Sequence, residues 1–516
     1  MSVLAPRLAG PPGGWHPAVR ERRLREAIAY GLVGLLTLAG ALAIALSVAK
    51  PNPVLAVAAA VGALGLVALA VNPRYEVSLA LIALYLGLLD GPVKLLSASQ
   101  LASAIRDILI LAVVLGMAVR ALVARERVRL PPLSGWVLAF VAVVLVEAAN
   151  PATHGILKAV GGFRQQLEWV PFFFFGYLVM RSKDRFRKLF LLLGVIALAN
   201  GVVGAYQSHL TPAQLASWGP GYGERVSGGG GVSGRTYSYE GVGHPRPPAL
   251  GSDSGFGGGV GVLALPGLVA LLAVGRRRGR WLVLLCAAGA LLGIATAASR
   301  TAIVIAIVTL LSYALLLLVA RLRATRPLMV LGAIVLLALP VGAVLLASDG
   351  RAVFSRQESL VESSQTRGPG DDSKEAELAQ IPRDVAAAPL GVGLATYGSA
   401  AGFGGHERVT IEGRGATGEE AYNLVALELG LPGLLLWVGL TLNVLALVVR
   451  RLRLVGDPEL RTYLVAVFAA FLAFTIQGLS GPTLAVTPAG VYLWFAAGIA
   501  AYWLTGAVRG LRCARA

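Results

Sequence analysis

Apolar runs of about twenty residues recur along most of this chain, the length an α-helix needs to cross the hydrocarbon of a bilayer. The candidate spans are Ala27–Ala49, Val54–Val71, Val77–Leu89, Ile105–Val123, Leu133–Ala148, Trp169–Met180, Leu189–Tyr206, Gly255–Val274, Trp281–Ala297, Thr301–Val319, Leu328–Ala347, Tyr422–Val449, Thr462–Leu479 and Ala489–Val508. Two of them, Val77–Leu89 and Trp169–Met180, are short. In lipid every backbone N–H and C=O must be satisfied within its own segment, so the expected fold is an all-α polytopic bundle of about 12–14 transmembrane spans. With 56% hydrophobic and 14% charged residues and a mean hydropathy of +0.73, a soluble domain of this length is excluded.

The net charge of +18 does not point to nucleic acid, because the basic residues are not spread as a binding face. With the N-terminus inside and the spans alternating, every short basic cluster falls on the inner side. These include the tail before Ala27, RALVARERVRL, RSKDRFRK, GRRRGR, ARLRATRP, RRLRLVGDPELR and RGLRCARA. That is the positive-inside pattern, and it places both termini in the cytoplasm. Ser47-Val48-Ala49 loosely resembles a signal-cleavage site, but the preceding run is long for a signal peptide, so an uncleaved first helix is expected. Cys286 in a span and Cys513 in the tail suggest neither a disulfide nor a metal site.

The expected organisation is a basic tail over 1–26, a transmembrane region over 27–347 with outer loops at 150–168 and 207–254, a large outer loop over 348–421, C-terminal spans over 422–508 and a tail over 509–516. The loop from Ser348 to Ala421 is the only long polar segment, and a loop of that length between spans is seldom a bare connector. Within it Asp371-Asp372-Ser373 reads as a helix start, Lys374–Ala388 as a helix weakened by Pro382, and Pro389-Leu390-Gly391-Val392-Gly393 as a tight turn. The 207–254 segment contains Gly228–Gly231, a flexible run.

Several outward-facing residues are candidates for chemistry. Arg300, in AASRTAIVIA, sits at the mouth of two apolar runs. It either snorkels to headgroups or is a fixed cation whose planar fork suits phosphate. Arg246, in HPRPPALGSDSGFGGG, precedes a Gly-rich helix start. Asp253 there either orients a cation or, like Ser254, caps the helix. Arg164 is a third outer cation or the i,i+4 partner of Glu168. His406 is one of four outer histidines, with His154, His209 and His244. Glu419 and Glu420 open the span at Tyr422, where a helix dipole alone favours acids, or where one of them acts as a general base. No Walker loop, H-E-x-x-H, CxxC or convincing G-x-S-x-G is present.

Taken together, four segments resemble the O-antigen ligase and O-antigen polymerase superfamily of polytopic membrane glycosyltransferases. They are RPPALGSDSGFGGGVGVLALPG from Arg246, ASRTA from Ala298, SKEAELAQIPRDVAAAPLGVGLATYG from Ser373, and EEAYNLVALELGLPGLLLW from Glu419. The last ends in the family's Glu-x-Gly-x-x-Gly, and the resemblance spans roughly 150–439. It implies transfer of a glycan from a polyprenyl diphosphate donor to a sugar hydroxyl of a lipid-linked glycan or lipid-core acceptor. The site would lie on the outer face of a bacterial inner membrane, with no cofactor or metal and alongside polysaccharide-assembly proteins. Arg246 and Arg300, with Arg164 and Lys374, would hold the diphosphate. Glu419, Glu420 or His406 would act on the acceptor hydroxyl, and Tyr422 would contact the acceptor. Lys374 stands where the family has Arg, and Glu419-Glu420 where ligases have His-Asn, which favours the polymerase-like branch. The alternative is a polytopic transporter or flippase for a lipid-linked or anionic substrate.

Overall fold

The computed structural model describes residues 72, 74–97, 100–123, 130–227, 236–239, 242–274, 279–322, 332, 374–401, 410–411, 414–415 and 420–506. Every expected span that falls on described residues is helical. Ala27–Ala49 and Val54–Val71 lie outside them, as does all but one residue of Leu328–Ala347. Six described helices are long and apolar enough to cross a membrane: α1 (Tyr75–Ser97), α6 (Lys183–Ser208), α9 (Phe256–Val274), α11 (Arg300–Val319), α13 (Ala421–Leu454) and α14 (Pro458–Gln477). Three shorter apolar helices accompany them, α3 (Ser134–Glu147), α10 (Arg280–Thr296) and α15 (Ala489–Thr505).

The remaining helices are α2 (Gln100–Val123), α4 (Ile156–Leu167), α5 (Pro171–Val179), α7 (Pro212–Ala216), α8 (Pro220–Ser227) and α12 (Lys374–Ala387). Two small antiparallel hairpins, Thr236–Tyr239 with Val242–Pro245 and Thr410–Ile411 with Arg414–Gly415, are the β structure among the described residues. The first was not anticipated in the 207–254 loop.

The chain divides into two compact units, Met1–Ser78 with Asp107–Arg129, and Leu79–Arg106 with Leu130–Ala516. In the first, Ala112 packs with Ile108, Leu109 and Val119. The second contains the bundle and everything below.

The bundle has two chemically different ends. At one, Lys183 at the start of α6 pairs with Asp457 at 2.7 Å, and Arg187 pairs with Glu459 and donates to the Tyr463 hydroxyl at 3.1 Å. Arg461 Nη1 donates to the Ala320 carbonyl at 3.0 Å, closing the C-terminal end of α11. Burial works to raise the Asp457 carboxyl, but Lys183 and the amides of Glu459 and Leu460 outweigh it and hold the group below the usual range. Three of the basic segments expected on one side of the membrane therefore meet at one end. The opposite ends of the same helices, Gln207 of α6, Arg300 of α11 and Gln477 of α14, lie at the other.

Close packing uses small residues, as in other helical bundles with little polar surface between helices. A methyl at Gly201 of α6 would run into the Gly289 carbonyl oxygen of α10. The long helix α13 is broken at Gly430, which adopts φ 60° and ψ −160°, a conformation open essentially to glycine. Pro432 follows and has no N–H to return to the preceding turn. The loop after α12 fills that break. Val392 N donates to Leu427 O at 2.8 Å and Leu431 N to Pro389 O at 2.9 Å. The tight turn expected at 389–393 is real, with positive φ at Gly391 and Gly393. A Cβ at Gly430 would strike Pro389 O and Gly391 N. Gly430→Ala is accordingly expected to cost about 2–4 kcal/mol, seen as a lowered thermal midpoint of the protein in nanodiscs.

Candidate functional site

The loop before α9 is pinned to α6. Gln207 Nε2 donates to Ala249 O at 3.1 Å while its Oε1 accepts from Ala249 N at 2.8 Å. Asn200 Oδ1 accepts from Leu250 N at 3.1 Å and its Nδ2 donates to Gly87 O at 2.8 Å. These contacts hold Arg246 and the 253–256 turn over a cavity of about 430 Å³ at the bundle end opposite the basic clusters. Arg246 and Asp253 come from this loop, Ser299 and Thr301 from the start of α11, and Gln477 and Ser480 from the end of α14 and the loop beyond it. Gln165 of α4 and Gly398 of the long loop close another side.

Among the described residues, Arg246 and Asp253 are the charged candidates named from sequence that line this cavity. The Nε of Arg246 is buried and meets no hydrogen-bond partner among the described residues. Asp253 does not orient it: Asp253 pairs instead with Arg225 of α8 at 2.8 Å. Nor does a side chain of Asp253 or Ser254 cap α9, whose first amide, Phe256 N, donates to the Asp253 carbonyl at 3.2 Å. Arg300 is the first residue of α11 and half-buried. Its neighbours Ser299 and Thr301 line the cavity while Arg300 itself does not. Arg164 is half-buried on α4 and also outside the lining. Lys374 is the first residue of α12, but its side chain lies outside the described residues, as do His406 and Glu419 entirely.

Glu420 is 3% exposed at the N-cap position of α13. Its side chain makes no cap hydrogen bond and Oε2 has no partner among the described residues, while its place at the helix N-terminus is one the helix dipole favours. It borders the cavity wall rather than forming it: the next amide, Ala421 N, donates to the carbonyls of Gly478 and Gly481, both at 3.1 Å. Tyr422 turns its hydroxyl to Thr475 O at 3.3 Å and is not among the residues lining the cavity.

The sequence reading missed a buried polar knot beside this site. Glu428 of α13 is fully buried. Its Oε1 accepts from Thr396 N at 3.1 Å, Tyr397 N at 3.2 Å and Gln165 Nε2 at 3.2 Å, and its Oε2 accepts from Gln166 Nε2 at 2.8 Å. Gln165 also grips the loop, donating to Tyr397 O at 3.0 Å and accepting from Ala400 N at 2.8 Å. Lys158 of α4 is 0% exposed, and its Nζ has no hydrogen-bond partner among the described residues. Burial pushes its ammonium below the usual lysine range, partly offset by the Glu428 carboxylate. The knot fixes the segment ending at Gly398, and so one wall of the cavity. A lone carboxylate in the apolar run Tyr422–Val449 was the signal that marked Glu428 in sequence.

A second unanticipated cluster joins α1, α2 and α4. Arg106 Nη2 donates to Glu168 Oε2 at 2.6 Å, and Arg106 lies 3.8 Å from Asp90, itself paired with Lys94 at 2.6 Å. The Arg106 guanidinium stacks 4.7 Å from the Trp169 ring centre. The described residues contain no group of three or more His, Cys, Asp or Glu side chains able to hold a metal ion. Against known proteins, no family model and no curated relative matches the chain.

Proposed function

We propose that this protein is a polytopic glycosyltransferase of a bacterial inner membrane, of the O-antigen polymerase kind. It would carry about 12–14 spans, cytoplasmic termini and an outward-facing site capped by the 348–421 loop. The donor is a glycan on a polyprenyl diphosphate and the acceptor a sugar hydroxyl on another lipid-linked glycan. The observation that carries this reading is the cavity itself. It lies at the end away from the basic clusters, is walled by parts of the resembling segments, and is lined by Arg246, whose buried Nε has no hydrogen-bond partner among the described residues.

The acceptor hydroxyl oxygen attacks the anomeric carbon of the donor sugar. The bond from that carbon to the diphosphate oxygen breaks, and the diphosphate leaves with the electron pair. Arg246 binds the charge that develops on it, with the N-terminus of α11 at Ser299–Thr301 facing the same space. Glu420 takes the hydroxyl proton. Its side chain spends no hydrogen bond on capping. Arg300, Arg164 and Lys374 remain supporting cations, and His406 and Glu419 alternative bases. Glu420→Gln is expected to slow transfer by about 10²–10⁴. Its melting point should stay unchanged, because no described side-chain hydrogen bond is lost.

The transporter reading draws on the buried Arg106–Glu168–Asp90–Lys94 cluster, since charges inside a bundle often mark ion pathways. Sealed proteoliposomes separate the two. Glycan growth on the donor with no ATP and no ion gradient supports the transferase, and gradient-driven movement of unaltered substrate supports the transporter.

A further inference from the structure

Two hollows of opposite character meet at Phe256, Thr487 and Pro488. These three residues stand in the wall of the polar cavity at Arg246. They also line a second space of about 90 Å³ between α1, α6, α9 and α15, whose surface is almost entirely apolar. Leu79, Leu189, Leu193 and Val491 on its rim are only half-buried, so it opens at the flank of the bundle. The helices that form it include three of membrane-crossing length, so that flank faces hydrocarbon when the bundle is in a bilayer.

A small soluble anion would use the polar cavity and leave the groove empty. An amphiphile with an anionic head and a hydrocarbon tail would use both, entering sideways from the membrane without its tail crossing water. We infer that the groove holds the first isoprenoid units of the donor's chain while the diphosphate rests against Arg246. This rests on the proposed donor being a polyprenyl diphosphate. The groove then sets chain selectivity, and binding of the chain positions the diphosphate at the cavity mouth. Its walls come mostly from helices, with Phe172 of α5 joining the four and Thr487–Pro488 added from the loop before α15, so the head and tail positions are fixed relative to one another.

The test uses the full chain in nanodiscs, with inorganic diphosphate, farnesyl diphosphate and farnesol as probes. Leu193→Trp and Val491→Trp fill the groove from its half-buried rim. Should a tryptophan unfold the protein, the milder Leu193→Phe reads the same comparison. Farnesyl diphosphate is expected to bind the parent at least about tenfold more tightly than inorganic diphosphate. In the filled variants that advantage should disappear, with inorganic diphosphate affinity within about twofold of the parent. All proteins sit in the same lipid, so partition of the probes into the bilayer cancels in the comparison. Unchanged binding of farnesyl diphosphate and farnesol in the filled variants would overturn the groove and leave the cavity reading standing. Weakened farnesol binding there, with diphosphate binding indifferent to Arg246→Ala, would keep the groove and remove the diphosphate reading.

Discussion

Arg246→Ala is expected to lower the rate of glycan transfer by about 10²–10³, with little change in melting temperature. The asymmetry follows from where this guanidinium stands. The buried Nε of Arg246 has no hydrogen-bond partner among the described residues, so its removal breaks no described hydrogen bond of that atom. The loop is held instead by Gln207 and Asn200, which bind the backbone at Ala249 and Leu250. The loss falls on the charge of the departing diphosphate, which a donor fixed in advance stabilises without reorganising. Arg246→Lys should recover only part of the rate, because an ammonium offers a point charge where the guanidinium offers a planar fork. Single-turnover kinetics with the donor bound read this directly. A variant that melts as the parent does and transfers at the parental rate would remove Arg246 from the site.

The second large effect is on stability, at Glu428. Glu428→Leu leaves four donors without their acceptor and Lys158 buried without a counter-charge, and is expected to destabilise by about 3–5 kcal/mol. Glu428→Gln should cost less, about 1–3 kcal/mol. Gln166 Oε1 has no partner in the present arrangement. A flip of the Gln166 amide would therefore let it accept from the new Gln side chain, while the other glutamate oxygen keeps its three donors. What Glu428→Gln cannot restore is the charge facing Lys158. Adding Lys158→Met to Glu428→Gln should thus recover most of the loss, a coupling that a double-mutant cycle in nanodiscs measures. Strictly additive effects would mean that Lys158 and Glu428 do not sense each other.

Much of the fold was legible because a span announces itself locally. A run of twenty apolar residues has few alternatives in lipid, and the turn at Pro389–Gly393 was visible in its own glycines. The meeting of Lys183 with Asp457 at one end also follows from the rule that basic segments share a side. Long-range pairing was not legible. Glu428 and Gln165 are 263 positions apart, and nothing near either residue names the other. The same holds for Arg106 and Glu168, 62 positions apart, where the local i,i+4 spacing to Arg164 drew attention instead. Arg246 was named because its Pro- and Gly-rich surroundings constrain the backbone, and it lines the cavity. Tyr422 was named by its place in a motif, and its hydroxyl faces Thr475, away from the cavity lining.

The decisive measurement is mass spectrometry of a lipid-linked oligosaccharide incubated with the purified protein in bilayers, with no nucleotide sugar and no ATP. Glycans lengthened by whole repeat units on polyprenyl diphosphate, and absent with Arg246→Ala, are the expected result. Folded protein that leaves every lipid-linked glycan at its starting length would contradict the transferase assignment.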